Sequence, residues 1–227
     1  MTDPPWAASG NVLYTDAGVF DVTSGARLWS FDGDAFFLQV RNGKVYASRE
    51  GPPAAVDVFD AAGSAGCSGA PKICQPIQKL QNGVTRAVSS RLVTASTLAG
   101  SSGPDAKLFL YPTDGSTCST APATCAPAAT ATLGSSTSFV SSVASTEQLV
   151  FATGQTTGPL PATNHSLFAF DGALGNGCAG APKVCTPLFT FTLTNINLGQ
   201  PEIWGGRVYA AGSNGKLYVF SLPGDVS

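Results

Sequence analysis

Charge is scarce in this chain. Of its 227 residues, 12 are Lys or Arg and 14 are Asp or Glu, 11% together, where a globular domain ordinarily carries about a quarter. No basic stripe is present and the formal net charge is −2, which argues against nucleic acid as a partner. No apolar run approaches the roughly 18 residues of a membrane-spanning helix. No stretch repeats its apolar residues with a helical period, so almost no helix is expected. The G-x-S-x-G elbow, the P-loop and HExxH are all missing. Ser and Asp are plentiful enough for a Ser-His-Asp triad, but nothing in the sequence positions one. No cofactor and no catalytic residue are therefore assigned.

What the chain has instead is Gly (26), Pro (16) and hydrophobic residues (43%), a mixture that suits many short strands joined by turns. Residues 206 to 220, GRVYAAGSNGKLYVF, read as two strands around Ser213-Asn214-Gly215; Asn-Gly marks a hairpin because both residues tolerate positive φ. The same hairpin recurs with Leu13-Tyr14 and Val19 to Val22, Val45-Tyr46 and Val56 to Phe59, Leu92-Val93 and Leu108 to Tyr111, and Leu149 to Phe151 and Leu167 to Phe170. The copies are spaced by about 30 to 60 residues, the range of propeller blades.

Extended segments precede each hairpin (Pro5 to Ser9, Phe36 to Val40, Thr85 to Ser89, Phe139 to Val143, Pro201 to Trp204) and follow the first four (Ala26 to Phe31, Pro76 to Leu80, Ala128 to Leu133, Leu188 to Leu193). Four short strands per unit predict an all-β protein, a single β-propeller domain over 1–227 with about five four-stranded blades: 1–33, 34–82, 83–135, 136–195 and 196–227. KLYVF and SLFAF are apolar without alternation, as expected of strands packed on both faces. The last unit reaches Pro223 without an evident fourth strand, so the last blade is expected to be incomplete, its closure supplied from elsewhere.

The six cysteines fall as Cys67 with Cys74, Cys118 with Cys125 and Cys178 with Cys185, in CSGAPKIC, CSTAPATC and CAGAPKVC. Identical spacing in three successive units predicts local disulfides between the third and fourth strands. Each would contribute roughly 2.5 kcal/mol at most by loop closure. Metal binding is the rival, but there is no CxxC and the single histidine is far from any pair. Disulfides place the chain outside the cytosol, extracellular or at the cell envelope. The N-terminal MTDPPWAAS lacks the features of a secretory signal; the two readings agree if Met1 opens a truncated version of an exported chain.

Together these residues resemble the PQQ-like (quinoprotein-type) β-propeller repeat family, whose G-x-V-Y strand leads to an L-Y-x-F-D strand. Asp21, Gly25 and Trp29 in DVTSGARLW resemble its tryptophan-docking motif D-x-x-T-G-x-x-x-W, with Ser24 in place of Thr. The Cys-x6-Cys insert resembles versions of these repeats in exported bacterial, often actinobacterial, proteins. The resemblance implies the propeller. Members that are quinoprotein dehydrogenases have seven or eight blades, usually bind Ca²⁺ beside the quinone and use an Asp base; many carry adjacent cysteines, which this chain lacks.

Three functional readings follow. The first is a non-catalytic exported propeller acting as a binding or scaffold module for an unknown protein or carbohydrate ligand. The second is a carbohydrate-binding propeller, motivated by the candidate channel aromatics Trp6 and Trp204. The third is a degenerate or truncated PQQ-dependent dehydrogenase. Recognition is expected at the end of the array bearing the unequal loops between second and third strands, near Arg49, Glu50, Asp105, Asn164 and His165; the disulfide loops share the opposite end.

Overall fold

The computed structural model describes residues 7–49, 54–96, 106–119, 123–133, 137–157 and 163–222, and all of their regular structure is β. The first four strands, β1 (Ala7–Ser9), β2 (Val12–Thr15), β3 (Gly18–Asp21) and β4 (Arg27–Phe31), form an antiparallel meander. The second repeat gives β5 (Phe36–Arg41), β6 (Lys44–Arg49) and β7 (Ala55–Asp60), a small hairpin of β8 (Cys67–Ser68) and β9 (Ile73–Cys74), then β10 (Gln78–Gln81), which returns to β7. The third gives β11 (Val84–Val88), β12 (Leu92–Ser96), β13 (Lys107–Pro112), a short β14 (Thr124–Cys125) and β15 (Ala129–Thr132). The fourth gives β16 (Thr137–Ser145), β17 (Leu149–Thr157) and β18 (Thr163–Asp171), a hairpin of β19 (Cys178–Ala179) and β20 (Lys183–Cys185), then β21 (Phe189–Thr194). The last three strands are β22 (Glu202–Trp204), β23 (Arg207–Ala211) and β24 (Leu217–Ser221).

All three expected disulfides are present, Cys67–Cys74, Cys118–Cys125 and Cys178–Cys185. Their role goes beyond the local staple expected of them. Each disulfide hairpin adds itself, in parallel, to the outer strand of the preceding repeat. β9 pairs with β4 (Phe31 opposite Cys74), β14 with β10 (Leu80 opposite Cys125) and β20 with β15 (Ala131 opposite Cys185). The outward amides of Ser30 and Asp32 donate to the carbonyls of Lys72 (3.0 Å) and Cys74 (2.9 Å), and that of Lys79 donates to Ala123 (2.8 Å). The sheets consequently read β1-β2-β3-β4-β9-β8, β14-β10-β7-β6-β5 and β11-β12-β13-β15-β20-β19, followed by β16-β17-β18-β21 and β22-β23-β24. An edge strand exposes a row of unpaired amides and carbonyls, and the hairpin covers that row.

The chain divides into two compact units, Met1–Ala95 with Tyr111–Pro127, and Ser96–Leu110 with Ala128–Ser227. In the first unit Tyr14, Val19, Trp29 and Phe31 of the first sheet pack with Val45, Ala47 and Phe59 of the second. β6 and β7 are buried over four consecutive residues, which is why their apolar residues do not alternate with exposed polar ones; Ser48 and Asp57 are buried among them. Trp29 is the anchor: its ring meets Phe31 edge-on at 4.9 Å and lies against Gly63. The turn before it is held by Asp21, whose carboxylate accepts from the amide (2.7 Å) and hydroxyl (2.8 Å) of Ser24, while Gly25 takes φ +69°. The D-x-x-S-G-x-x-x-W stretch thus docks one sheet on the next.

In the second unit Phe151, Leu167 and Ala169 of the fourth sheet face Val208 and Ala210 of the fifth, with Phe191, Tyr218 and Phe220 packed at the margin. Phe191 lies 5.1 Å from Phe220 and 5.6 Å from Tyr218, ring to ring.

Candidate functional site

The fifth sheet carries the most conspicuous surface. Its strand register places Ile203, Val208 and Phe220 in one row and Glu202, Tyr209 and Val219 in the next. Side chains alternate across a sheet, so Val208, Ala210, Tyr218 and Phe220 point into the core while Trp204, Tyr209, Leu217 and Val219 share the other face. That face is open: Trp204 is 78% exposed, Leu217 61% and Val219 47%. LYVF has the sequence of a strand buried on both sides, like those of β6 and β7, yet one of its sides faces solvent. Glu202 and Arg207 lie on the same face.

Beside it runs an apolar groove of about 340 Å³, lined by Leu149, Phe151, Leu167, Ala169, Leu188, Phe189, Phe220 and Ser221. Leu188 and Phe189 at its rim are about half exposed. Among the described residues β21 and β24 each end their sheets, so the groove is bordered by two edge strands.

No protein-family model matches the chain. No curated protein matches it either. Among the solved structures similar to it are two described as computationally designed proteins. Ika4 superposes with a TM-score of 0.52 at 10% identity, over 87% of this chain and 99% of its own. Ika8 gives 0.49 at 12% identity, over 96% and 70%. The likeness to Ika4 is one of fold alone, and that to Ika8 is too slight to carry an argument.

The residues expected at the loop-bearing end are distributed differently from the expectation. Glu50, Asp105 and Trp6 lie outside the described residues. Arg49 is a strand residue, the last of β6, and forms an ion pair with the fully buried Asp57 of β7. It also donates from Nη2 to the carbonyl of Asp32 (2.6 Å). Lys79 approaches the other carboxylate oxygen at 4.0 Å. Burial pushes the Asp57 carboxyl up while Arg49 and then Lys79 pull it down; burial prevails. The sequence reading missed Asp57, although a signal was available: an acid interrupts the apolar VDVF where the third and fourth repeats have Phe109 and Phe168.

Asn164 and His165, expected in a loop, sit in β18 opposite Thr156 and Gln155 on one side and Thr194 and Leu193 on the other. His165 is buried, and burial lowers its pKa. A polar dimple of about 170 Å³ does lie where the β2–β3 turn meets the β4–β5 connection, lined by Asp16, Ala17, Asp34, Ala35 and Phe36. Trp204, a candidate channel aromatic, stands in solvent at the end of β22. Among the described residues no three His, Cys, Asp or Glu side chains gather as a metal site. None of them belongs to a helix long and apolar enough to cross a membrane.

Proposed function

We propose that this chain is a non-catalytic, exported β-propeller that works as a binding or scaffold module, with the open face of its last sheet as the recognition surface. One observation carries the reading: Tyr209, Leu217 and Val219 form, with Trp204 of the adjoining β22, an open apolar face, whereas Tyr46, Val56 and Val58, which hold the places of the first three in the second repeat, are buried. Exposed contiguous apolar surface marks interaction sites, and aromatic side chains supply large contact area at low entropic cost. Repeated antiparallel sheets packed one on the next within each unit support the propeller architecture, and three disulfides suit an oxidising compartment.

The test is a titration with bis-ANS, a dye that fluoresces on apolar surface, together with a dye-linked dehydrogenase assay in PQQ and Ca²⁺. The expected outcome is saturable dye binding that drops at least severalfold in Leu217→Lys and Val219→Lys, with no turnover above a no-protein control. Both substitutions are at exposed positions and leave the fold intact. Unsaturable dye binding, or binding indifferent to both lysines, overturns the recognition surface; turnover overturns the non-catalytic reading and favours a degenerate quinoprotein dehydrogenase. The exposed Trp204 ring supports the carbohydrate-binding alternative, in which Trp204→Ala abolishes retention on an immobilised polysaccharide.

A further inference from the structure

The outer strands of the first three repeats share one arrangement. Ser30, Lys79 and Thr130 stand opposite the residue before the second cysteine of the following hairpin, and Phe31, Leu80 and Ala131 stand opposite that cysteine. Against their own third strands, Lys79 lies opposite Asp57 and Thr130 opposite Phe109. In the fourth repeat the position opposite Phe168 is Thr190, and Phe191 follows it opposite Leu167. The equivalence is fixed by a shared hydrogen bond that starts each outer strand: Ile77 to Val58, Ala128 to Leu110 and Leu188 to Ala169, amide to carbonyl, 2.8 to 2.9 Å. Leu80 and Ala131, under their hairpins, are 3% and 0% exposed. Phe189, the fourth-repeat counterpart of the fully covered Ala129, is 47% exposed.

A single segment does two jobs in the second repeat: its hairpin caps β4, and its next strand, β10, completes the sheet of β7. β21 corresponds to β4 and β24 to β7. We infer that the edges of β21 and β24 form a docking site for one polypeptide segment, a disulfide-closed Cys-x6-Cys hairpin followed by a short strand, with its second cysteine opposite Phe191. The hairpin adds in parallel to β21 and the strand adds antiparallel to β24, a two-edged form of β-strand addition. The amides of Thr190 and Thr192 are the donors, as those of Ser30 and Asp32 are in the first repeat. This assignment rests on the proposed binding role and names the chemistry of the partner.

The probe is a synthetic peptide with the sequence of residues 66–81, GCSGAPKICQPIQKLQ, oxidised and labelled with fluorescein. Anisotropy titration against the full chain is expected to give saturable one-to-one binding, with hydrogen-exchange protection of Thr190 and Thr192. The linear peptide with Ser in place of both Cys binds at least tenfold more weakly, because it must order the hairpin on binding. Thr190→Pro removes one outward donor at an edge position where proline is tolerated, and weakens binding roughly tenfold, the worth of one well-made hydrogen bond. Far-UV circular dichroism checks that the variant is folded, and Thr192→Pro provides a second variant with the same expectation. Absence of saturable binding, equal affinity for the linear peptide, or protection at other strands overturns the inference. If dye still binds the Leu217–Val219 face while the peptide fails, only the hairpin assignment falls; if neither binds, the recognition surface falls with it.

Discussion

Removing one disulfide should loosen a sheet to which neither cysteine's own repeat contributes a main strand. In Cys67→Ala/Cys74→Ala the β8–β9 hairpin loses its closure, and Ala avoids placing a hydroxyl at the fully buried position 74. The cysteines are 7 residues apart, so loop closure contributes about 2.5 kcal/mol at most. That is a little under two decades in an opening equilibrium. The amides that feel it are those of Ser30 and Asp32, which donate to Lys72 and Cys74. Native-state hydrogen exchange should show them exchanging up to about sixtyfold faster, while amides of β2 and β3, inside the same sheet, keep their protection. The side chains repeat the message, since Gln75 donates from Nε2 to Asp32 at 2.7 Å. Faster exchange confined to residues 66–75, with Ser30 and Asp32 unchanged, would refute the idea that the hairpin holds the preceding edge.

Two further perturbations test the packing and the turns. Gly63 takes φ +63° and a Cβ there would lie 2.8 Å from Nε1 of Trp29, whereas Gly10 at φ +58° has open space. Gly63→Ala should therefore cost about 2–4 kcal/mol in urea unfolding, from left-handed strain plus overpacking, and Gly10→Ala only about 1; equal costs would show that Trp29 gives way. The carboxyl of Asp60 is held below the ordinary carboxylate range, first by the amide of Ala65 and then by those of Ser64 and Ala62, against some burial. A depressed native pKa stabilises above the unfolded value and is lost as pH falls through the native one. Asp60→Asn should flatten the decline in thermal stability below about pH 4, and an unchanged acid limb would count against this turn.

The strands were legible because each repeat writes them in a similar way: a Val-Tyr, Leu-Tyr or Leu-Val pair, a turn or loop, then a largely apolar run that includes Phe or Tyr. The cysteine pairs were legible from spacing alone. Their parallel docking was not, because nothing within eight residues says which strand edge a hairpin will meet; that depends on how one repeat lies on the one before. Gly51-Pro52-Pro53 made Arg49 look like a loop residue, but the buried Asp57 draws it into the strand, since an unpaired carboxylate there would be costly. β17 and β18 outran the expected loop by pairing their backbones as far as Thr157 and Thr163, carrying Asn164 and His165 into the sheet.

The candidate site was hidden for a related reason. A strand reading LYVF announces burial on two faces, so the sequence assigns β24 to an interior and gives no hint of a surface. Only the register with β23 separates Tyr218 and Phe220, which are packed, from Leu217 and Val219, which are not. The same holds for β21: FTFTLT reads as a strand with one polar face, and its Thr positions look like ordinary solvent contacts. Aligned with Ser30 and Lys79, Thr190 becomes the position where the first two repeats send a backbone donor into a neighbour's disulfide hairpin. Mutual spacing among repeats therefore carries information that no single repeat contains. The last two sheets are best understood by what the first three do with the same edges.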